Sequence, residues 1–86
     1  MYPENYKALF AMNLRYARGS RGLTQEELAK LLIANTGKNI STDGTRVRLS
    51  KWENGVSLPS LPECIALCNI LNVEMDFLLG AEDRDL

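Results

Sequence analysis

The chain has 86 residues, of which 45% are hydrophobic and 24% charged, and its formal net charge is −1. This length fits one domain of ordinary soluble composition, and no apolar run approaches the roughly 18 residues that span a membrane. The chain contains no histidine, which excludes serine–histidine and cysteine–histidine nucleophile pairs and the usual imidazole metal ligands.

The first part of the chain predicts two amphipathic helices. The first covers about residues 3–18, where apolar residues recur at three- and four-residue steps. The second follows Thr24, which caps it together with Glu27 in a capping box, and it ends near Gly37. The residues expected to be buried are Tyr6, Leu9, Phe10, Leu14 and Ala17 in the first helix, and Leu28, Leu31 and Leu32 in the second.

The segment GTRVRLSKWENG, residues 44–55, predicts a third helix with two different faces. The helix begins between Ser41 and Thr45, with Thr42 or Asp43 as a possible cap in place of Thr45, and it ends at Gly55. By its spacing the core side comprises Thr45, Leu49 and Trp52, and the opposite side comprises Arg46, Val47, Arg48, Lys51 and Asn54. A β-branched apolar residue on an exposed basic face is unusual for a solvated helix, but it suits contact with a thymine methyl group.

Two further helices complete the prediction. Ser60 caps the fourth helix with Glu63 in a second capping box, and the fifth covers about residues 74–79 and stops at Gly80. The inward residues are expected to be Leu61, Cys64, Ile65, Cys68 and Leu71, followed by Met75, Leu78 and Leu79. We interpret the two cysteines as reduced core residues rather than metal ligands, and residues 81–86 as a frayed tail.

The charges are unevenly distributed along the chain. Residues 1–55 carry nine of the ten lysines and arginines and five acidic residues, which gives +4, whereas residues 56–86 carry a net charge of −5. A domain with this asymmetry can present its basic half to a polyanion such as DNA while the acidic half faces away.

Four motifs, LTQEELA, WENG, PSL and FLLG, occur in order along the chain. Within LRYARGSRGLTQEELAKLL and LSKWENGVSLPSLPECIALCNILNVEMDFLLG, the chain resembles the lambda-repressor/Cro-type (XRE-like) helix-turn-helix family over about residues 8–80. The resemblance implies one compact, all-α, five-helix DNA-binding domain in residues 1–86, with its core at about 5–80 and its helix-turn-helix at about 24–55. Thr24 and Trp52 lie 28 residues apart, more than is usual in the family, so we expect an enlarged loop between helices 2 and 3.

The resemblance also implies roles for individual residues. In that family the third helix enters the major groove. The residues of this chain that match base-reading positions are Arg46, Val47 and Lys51. Arg46 suits a guanine edge and Val47 a thymine methyl group. The residues that match contacts to the DNA backbone are Thr24, Gln25, Arg48 and Asn54, and Lys38 in the inserted loop is a further candidate for a flanking phosphate. Arg18 matches an arginine that pairs with the glutamate of WENG, here Glu53.

The function expected from these features is a sequence-specific regulator of transcription that binds double-stranded DNA. The expected type is a phage or mobile-element repressor that acts in the cytoplasm as a homodimer, with the dimer contact in helices 4 and 5. The alternative is a protein-interaction module such as an antitoxin, or a helix-turn-helix domain without a DNA role, which the loop and the near-zero net charge favour. An enzyme is not expected, and neither is a cofactor, a metal, a membrane or a small-molecule substrate.

Overall fold

The computed structural model describes residues 4–81, which form five α-helices and, within that range, no strand. The helices are α1, Tyr6–Ser20; α2, Gln25–Thr36; α3, Thr42–Glu53; α4, Leu61–Leu71; and α5, Met75–Leu79. The prediction of an all-α, five-helix fold is confirmed. The expected helix start at Pro3 and residues 82–86 of the predicted tail lie outside the described residues.

Both predicted capping boxes are present. Thr24 Oγ1 accepts a hydrogen bond from the Glu27 backbone N–H at 3.0 Å, and Glu27 Oε1 accepts one from the Thr24 backbone N–H at 2.9 Å. Ser60 and Glu63 form the same reciprocal pair at the start of α4. Each box satisfies backbone donors that the first turn of a helix leaves without an intrahelical acceptor, so these two starts are determined locally.

The connection between α2 and α3 consists of residues 37–41. Gly37 ends α2 in the left-handed conformation, with φ at 68°, and its N–H bonds to the Ile33 carbonyl. Ser41 caps α3, because its Oγ accepts a hydrogen bond from the Gly44 N–H at 3.0 Å. Neither Thr42 nor Asp43 is the cap. Residues 33–36 and 42–44 are helical and flank this five-residue connection.

One cluster of buried side chains from all five helices forms the core. Its members are Phe10, Leu14 and Ala17 of α1, Leu28 and Leu32 of α2, Leu49 and Trp52 of α3, Cys64, Ala66, Leu67 and Leu71 of α4, and Leu78 of α5. α3 packs mainly against α2 and α1, while α4 packs against α2 and α5 against α1. α3 thus packs on a support formed by α1 and α2.

Four residues expected in the core are exposed: Tyr6 at 40%, Leu31 at 40%, Leu61 at 69% and Ile65 at 54% of their surface. In α4 the inward face runs through Glu63, Leu67 and Leu71, which lie at four-residue steps. The prediction was wrong here because it assigned positions by hydrophobicity alone, whereas a charged residue, Glu63, occupies an inward position.

Candidate nucleic-acid interface

α3 buries one side and exposes the other. Its core side consists of Thr45, Leu49 and Trp52, all buried. Its outward side carries Arg46, Val47, Lys51 and Asn54, of which Lys51 and Asn54 are exposed and Arg46 is half-buried. Val47 exposes 44% of its surface although it is a β-branched apolar residue. The outward side is therefore a basic surface with an apolar centre, which is the combination that reads base edges and thymine methyl groups.

The buried carboxylate of Glu53, at the end of α3, connects three helices. Arg18 of α1 donates to both oxygens, with Nε 2.7 Å from Oε2 and Nη2 3.0 Å from Oε1. Gln25 of α2 donates from Nε2 to Oε1 at 2.9 Å. The Glu53 side chain is only 2% exposed, so these donors replace the water that an ionised carboxylate would otherwise bind. The pair inferred between Arg18 and Glu53 is thus in contact, and Gln25 braces the end of α3.

Thr24 and Gln25 lie together at the N-terminus of α2, next to this network. The Thr24 side chain is occupied by the capping box, and the residue is exposed. Gln25 is half-buried because its amide points toward Glu53. The hydrogen bond between Gln25 and Glu53 brings the start of α2 and the end of α3 together, which is the arrangement that lets both meet one stretch of DNA backbone.

Arg46 and Lys51, the two predicted base-reading cations, have different surroundings. Arg46 Nη2 lies 3.0 Å from Asp43 Oδ1, one turn earlier on α3. The Asp43 side chain is 83% exposed, so the pair is worth at most about 1 kcal/mol and can exchange for another acceptor. Lys51 forms no ion pair with an acidic residue in the described part of the chain.

Arg48 and Lys38, expected at the DNA backbone, have partners within the protein. Both terminal nitrogens of Arg48 donate to the Glu63 carboxylate of α4, and the distance from Nη2 to Oε1 is 2.9 Å. The guanidinium also lies over the Trp52 ring, 5.2 Å from its centroid. Lys38 Nζ is 3.5 Å from the same carboxylate. We refer to Glu63, Arg48 and Lys38 as the Glu63 cluster; it joins α3 and the 37–41 connection to α4.

The Glu63 side chain is 2% exposed, and hydrogen bonds stabilise its negative charge. Burial by itself would raise the pKa of this carboxyl, but hydrogen bonds from Arg48 and Ser60 outweigh burial and lower the pKa to about 2. The carboxyl is therefore ionised at neutral pH, and the cluster as a whole carries one positive charge. From the sequence, Glu63 was identified only as a capping residue; its Oε1 serves the cap and Arg48 at once.

Two cations near the end of α3, Arg15 and Lys7, were not among the residues predicted to contact DNA. Arg15 of α1 donates from Nη1 to the backbone carbonyl of Glu53. Arg15 and Lys7 line a cleft beside Asn54, whose own side chain donates to the Ser50 carbonyl at 2.7 Å. The available signal was the three-residue spacing of Arg15 and Arg18, which places both on one side of α1.

The described residues do not form a metal site of the usual kind. Within residues 4–81, no group of three or more histidine, cysteine or acidic side chains is close enough to hold an ion. Cys64 and Cys68 are free thiols, the first buried and the second half-buried. Burial raises the pKa of Cys64 to about 11, which keeps it in the unreactive thiol form. In the same part of the chain, no helix is long and apolar enough to cross a bilayer.

Comparison with known proteins gives one finding. A family model described as a helix-turn-helix domain matches residues 9–77. The matched segment contains α2, α3 and α4 entirely and most of α1 and α5, and it coincides closely with the segment over which the motifs resemble the lambda-repressor/Cro-type family. Neither curated proteins nor solved structures gave a significant match.

Proposed function

The chain belongs to the helix-turn-helix domain family, and on that premise we propose that it is a sequence-specific regulator of the repressor type that binds double-stranded DNA with α3 in the major groove. The observation that supports this most is the outward side of α3. It exposes Val47 and Lys51, while Leu49 and Trp52 hold the same helix to the core. A helix fixed on one side and basic on the other can enter a groove without rearranging.

Base reading is assigned to three residues of α3. The Arg46 guanidinium can donate two hydrogen bonds to guanine O6 and N7 once it exchanges its exposed partner Asp43 for the base. The exposed methyl groups of Val47 suit a thymine methyl group, and Lys51 lies further along the same surface. A bidentate pair between Arg46 and guanine would discriminate against a wrong base by about 1–3 kcal/mol in binding free energy.

Contacts with the DNA backbone are assigned to Thr24, Gln25 and Asn54. Thr24 and Gln25 lie at the N-terminus of α2, where backbone N–H groups carry partial positive charge. Asn54 follows Glu53 at the C-terminal end of α3, where it caps the helix, so it lies at the same end of α3 as Gln25. Arg48 and Lys38 contribute mainly by adding the positive charge of the Glu63 cluster and by holding α3 in place.

A homodimer is the form in which this domain would gain affinity and specificity, because one half-site offers few base contacts. We propose that the two copies meet through an apolar surface on α1 and α5. Tyr16 is 68% and Phe77 39% exposed, and their rings pack together with centroids 6.4 Å apart. Of the contact expected in helices 4 and 5, this keeps α5, and it replaces α4 by Tyr16 of α1.

The test is selection from a pool of random duplex DNA at two salt concentrations. We expect the wild type to enrich a two-fold motif, with affinity that falls steeply with salt because phosphate contacts release counterions. The variant Lys51→Ala should lose affinity for the motif. The matched control is Lys30→Ala, which removes the same charge from an exposed site on α2, where Lys30 pairs only with Glu26.

Failure to bind DNA at low salt would contradict the proposal and favour the second candidate, a protein-interaction module. The observation that favours this alternative is the pair of exposed apolar side chains on α4, Leu61 and Ile65. They lie one turn apart on the face away from α3, and an antitoxin-like module would use such a surface to cover a partner.

A further inference from the structure

A cleft separates the N-terminal half of α1 from the end of α3. It has a volume of about 490 Å³ and is lined by Lys7, Ala8, Ala11 and Arg15 of α1 and by Asn54 and Gly55. Because alanine side chains are small, they leave the cleft open. The α1 backbone lies close to Gly55, since a Cβ at position 55 would be 3.9 Å from the Lys7 carbonyl oxygen. The cleft is therefore a defined concave feature that continues the outward surface of α3 at Asn54.

The lining of this cleft is basic and contains no acidic residue. Five other cations of the described chain, Arg18, Lys30, Lys38, Arg46 and Arg48, each lie within 4 Å of a carboxylate. Among residues 4–81, four cations form no such pair: Arg21, whose Nε donates to the Leu71 carbonyl, and three others. These three are Lys7, Arg15 and Lys51, which lies three residues before Asn54. Positive charge without an internal counter-charge is thus concentrated around this end of α3.

The donors of the cleft are also held in position. Arg15 uses Nη1 for the Glu53 carbonyl, which fixes the guanidinium beside Asn54 and leaves most of its five N–H donors for an anion. The first turn of α1 contains no acidic residue, and its cap, Asn5, makes no side-chain hydrogen bond to that turn. The positive end of the α1 dipole therefore adds to the charge of Lys7.

We propose that this cleft binds a backbone phosphate of DNA, outside the bases that α3 reads, with Lys7 and Arg15 as its ligands. The inference rests on the proposed function, since it concerns the same duplex. Asn54 belongs to both surfaces, so a strand that passes Asn54 on leaving the α3 groove meets α1 next. Because phosphates are the same in every sequence, the cleft adds affinity and leaves sequence preference unchanged.

The test compares Lys7→Glu with Lys30→Glu, which makes the same charge change on α2. A glutamate at position 7 would lie in the first turn of α1, where negative charge favours the helix, so loss of binding by this variant cannot be attributed to unfolding. Binding is measured as a function of salt on the selected site and on a random duplex. Arg15→Lys serves as a second variant that keeps the charge but loses the planar guanidinium.

We expect Lys7→Glu to bind both duplexes more weakly by a similar factor, and to reduce the slope of log K against log salt by about 0.9, the value for one lost phosphate contact. Ethylation of one phosphate outside the base-contacted positions should impair wild-type binding and have no further effect on Lys7→Glu. Wild-type binding with no change of slope in Lys7→Glu and no loss of affinity in Arg15→Lys would overturn the cleft proposal alone. Absence of salt-dependent binding by the wild type would overturn the proposed function and the cleft together.

Discussion

A single carboxylate, that of Glu53, accepts hydrogen bonds from side chains of two other helices. Arg18 contacts both of its oxygens and Gln25 contacts one. Since the carboxylate is almost completely removed from water, its charge is stable only while these donors remain. The residue that ends α3 therefore also sets the position of α3 on α1 and α2.

Replacing Arg18 by methionine would leave the Glu53 charge buried with Gln25 as its only remaining side-chain donor in the described structure. We expect the free energy of unfolding to fall by about 3–5 kcal/mol, measured by urea denaturation at neutral pH. In the control, Lys30→Met removes a cation whose partner Glu26 is 63% exposed, and the loss should stay below about 1 kcal/mol. Similar losses in the two variants would show that the Arg18–Glu53 pair does not support the fold.

Helix α4 is joined to α3 chiefly through a charged cluster. Glu63 caps α4 through Ser60 and at the same time binds Arg48 of α3 and Lys38 of the connection. Two charges from other elements thus converge on the first turn of α4, where a negative charge is also favoured by the helix dipole. The cluster therefore ties the first turn of α4 to α3 and to the 37–41 connection.

The lowered pKa of Glu63 predicts acid sensitivity. The carboxyl stays ionised in the folded protein down to about pH 2, whereas in the unfolded chain it protonates near pH 4.3. Between these values the unfolded state binds more protons, so the stabilisation is complete above about pH 4.3 and is lost as the pH falls to about 2. Because Arg48 is partly exposed, we expect this contribution to be on the order of 2 kcal/mol.

The measurement is the free energy of unfolding of wild type and Glu63→Gln at several pH values from 2 to 7. The variant should be less stable at pH 7 and should lose less stability on acidification, so that the two curves approach each other near pH 2. Glu26→Gln, at an exposed site on α2, is the control and should follow the wild-type curve. A constant difference between Glu63→Gln and wild type over the whole range would contradict the role of the ionised carboxyl.

Over the whole molecule, the arrangement of helices separates two kinds of surface. The cations without an acidic partner among residues 4–81 include Lys7, Arg15 and Lys51, all near the end of α3. Tyr16, the most exposed aromatic residue among residues 4–81, lies on α1 and packs on Phe77 of α5. A domain with these two surfaces can bind a polyanion with one and a second copy of itself with the other, as a two-fold operator requires.

The proposed dimer contact predicts different effects of two lysine substitutions. Tyr16 and Leu61 are 68% and 69% exposed, so neither Tyr16→Lys nor Leu61→Lys should disturb the core. We expect Tyr16→Lys to weaken self-association by at least tenfold, since it places like charges across a two-fold contact. Sedimentation equilibrium measures this, and Leu61→Lys should associate like the wild type. The reverse result would move the dimer contact to α4.

Much of the fold could be predicted because the relevant interactions are local. The capping boxes at Thr24 and Ser60 involve residues three positions apart, and the helix that ends at Gly37 needs a residue that adopts positive φ readily. The two faces of α3 follow from helical periodicity alone. The exposure of Val47 and Lys51 on the side opposite Leu49 was therefore predictable from the sequence.

The sequence by itself determined the helix order, the capping residues and the two faces of α3. Only the tertiary structure decided the burial of Glu63 with Arg48 and Lys38, the exposure of Ile65, and the meeting of Lys7 and Arg15 with Asn54. The physical reason is distance along the chain: Arg48 and Glu63 are 15 residues apart, and Arg15 and Glu53 are 38 apart. Such pairs form because packing brings the helices together, so no local spacing predicts them.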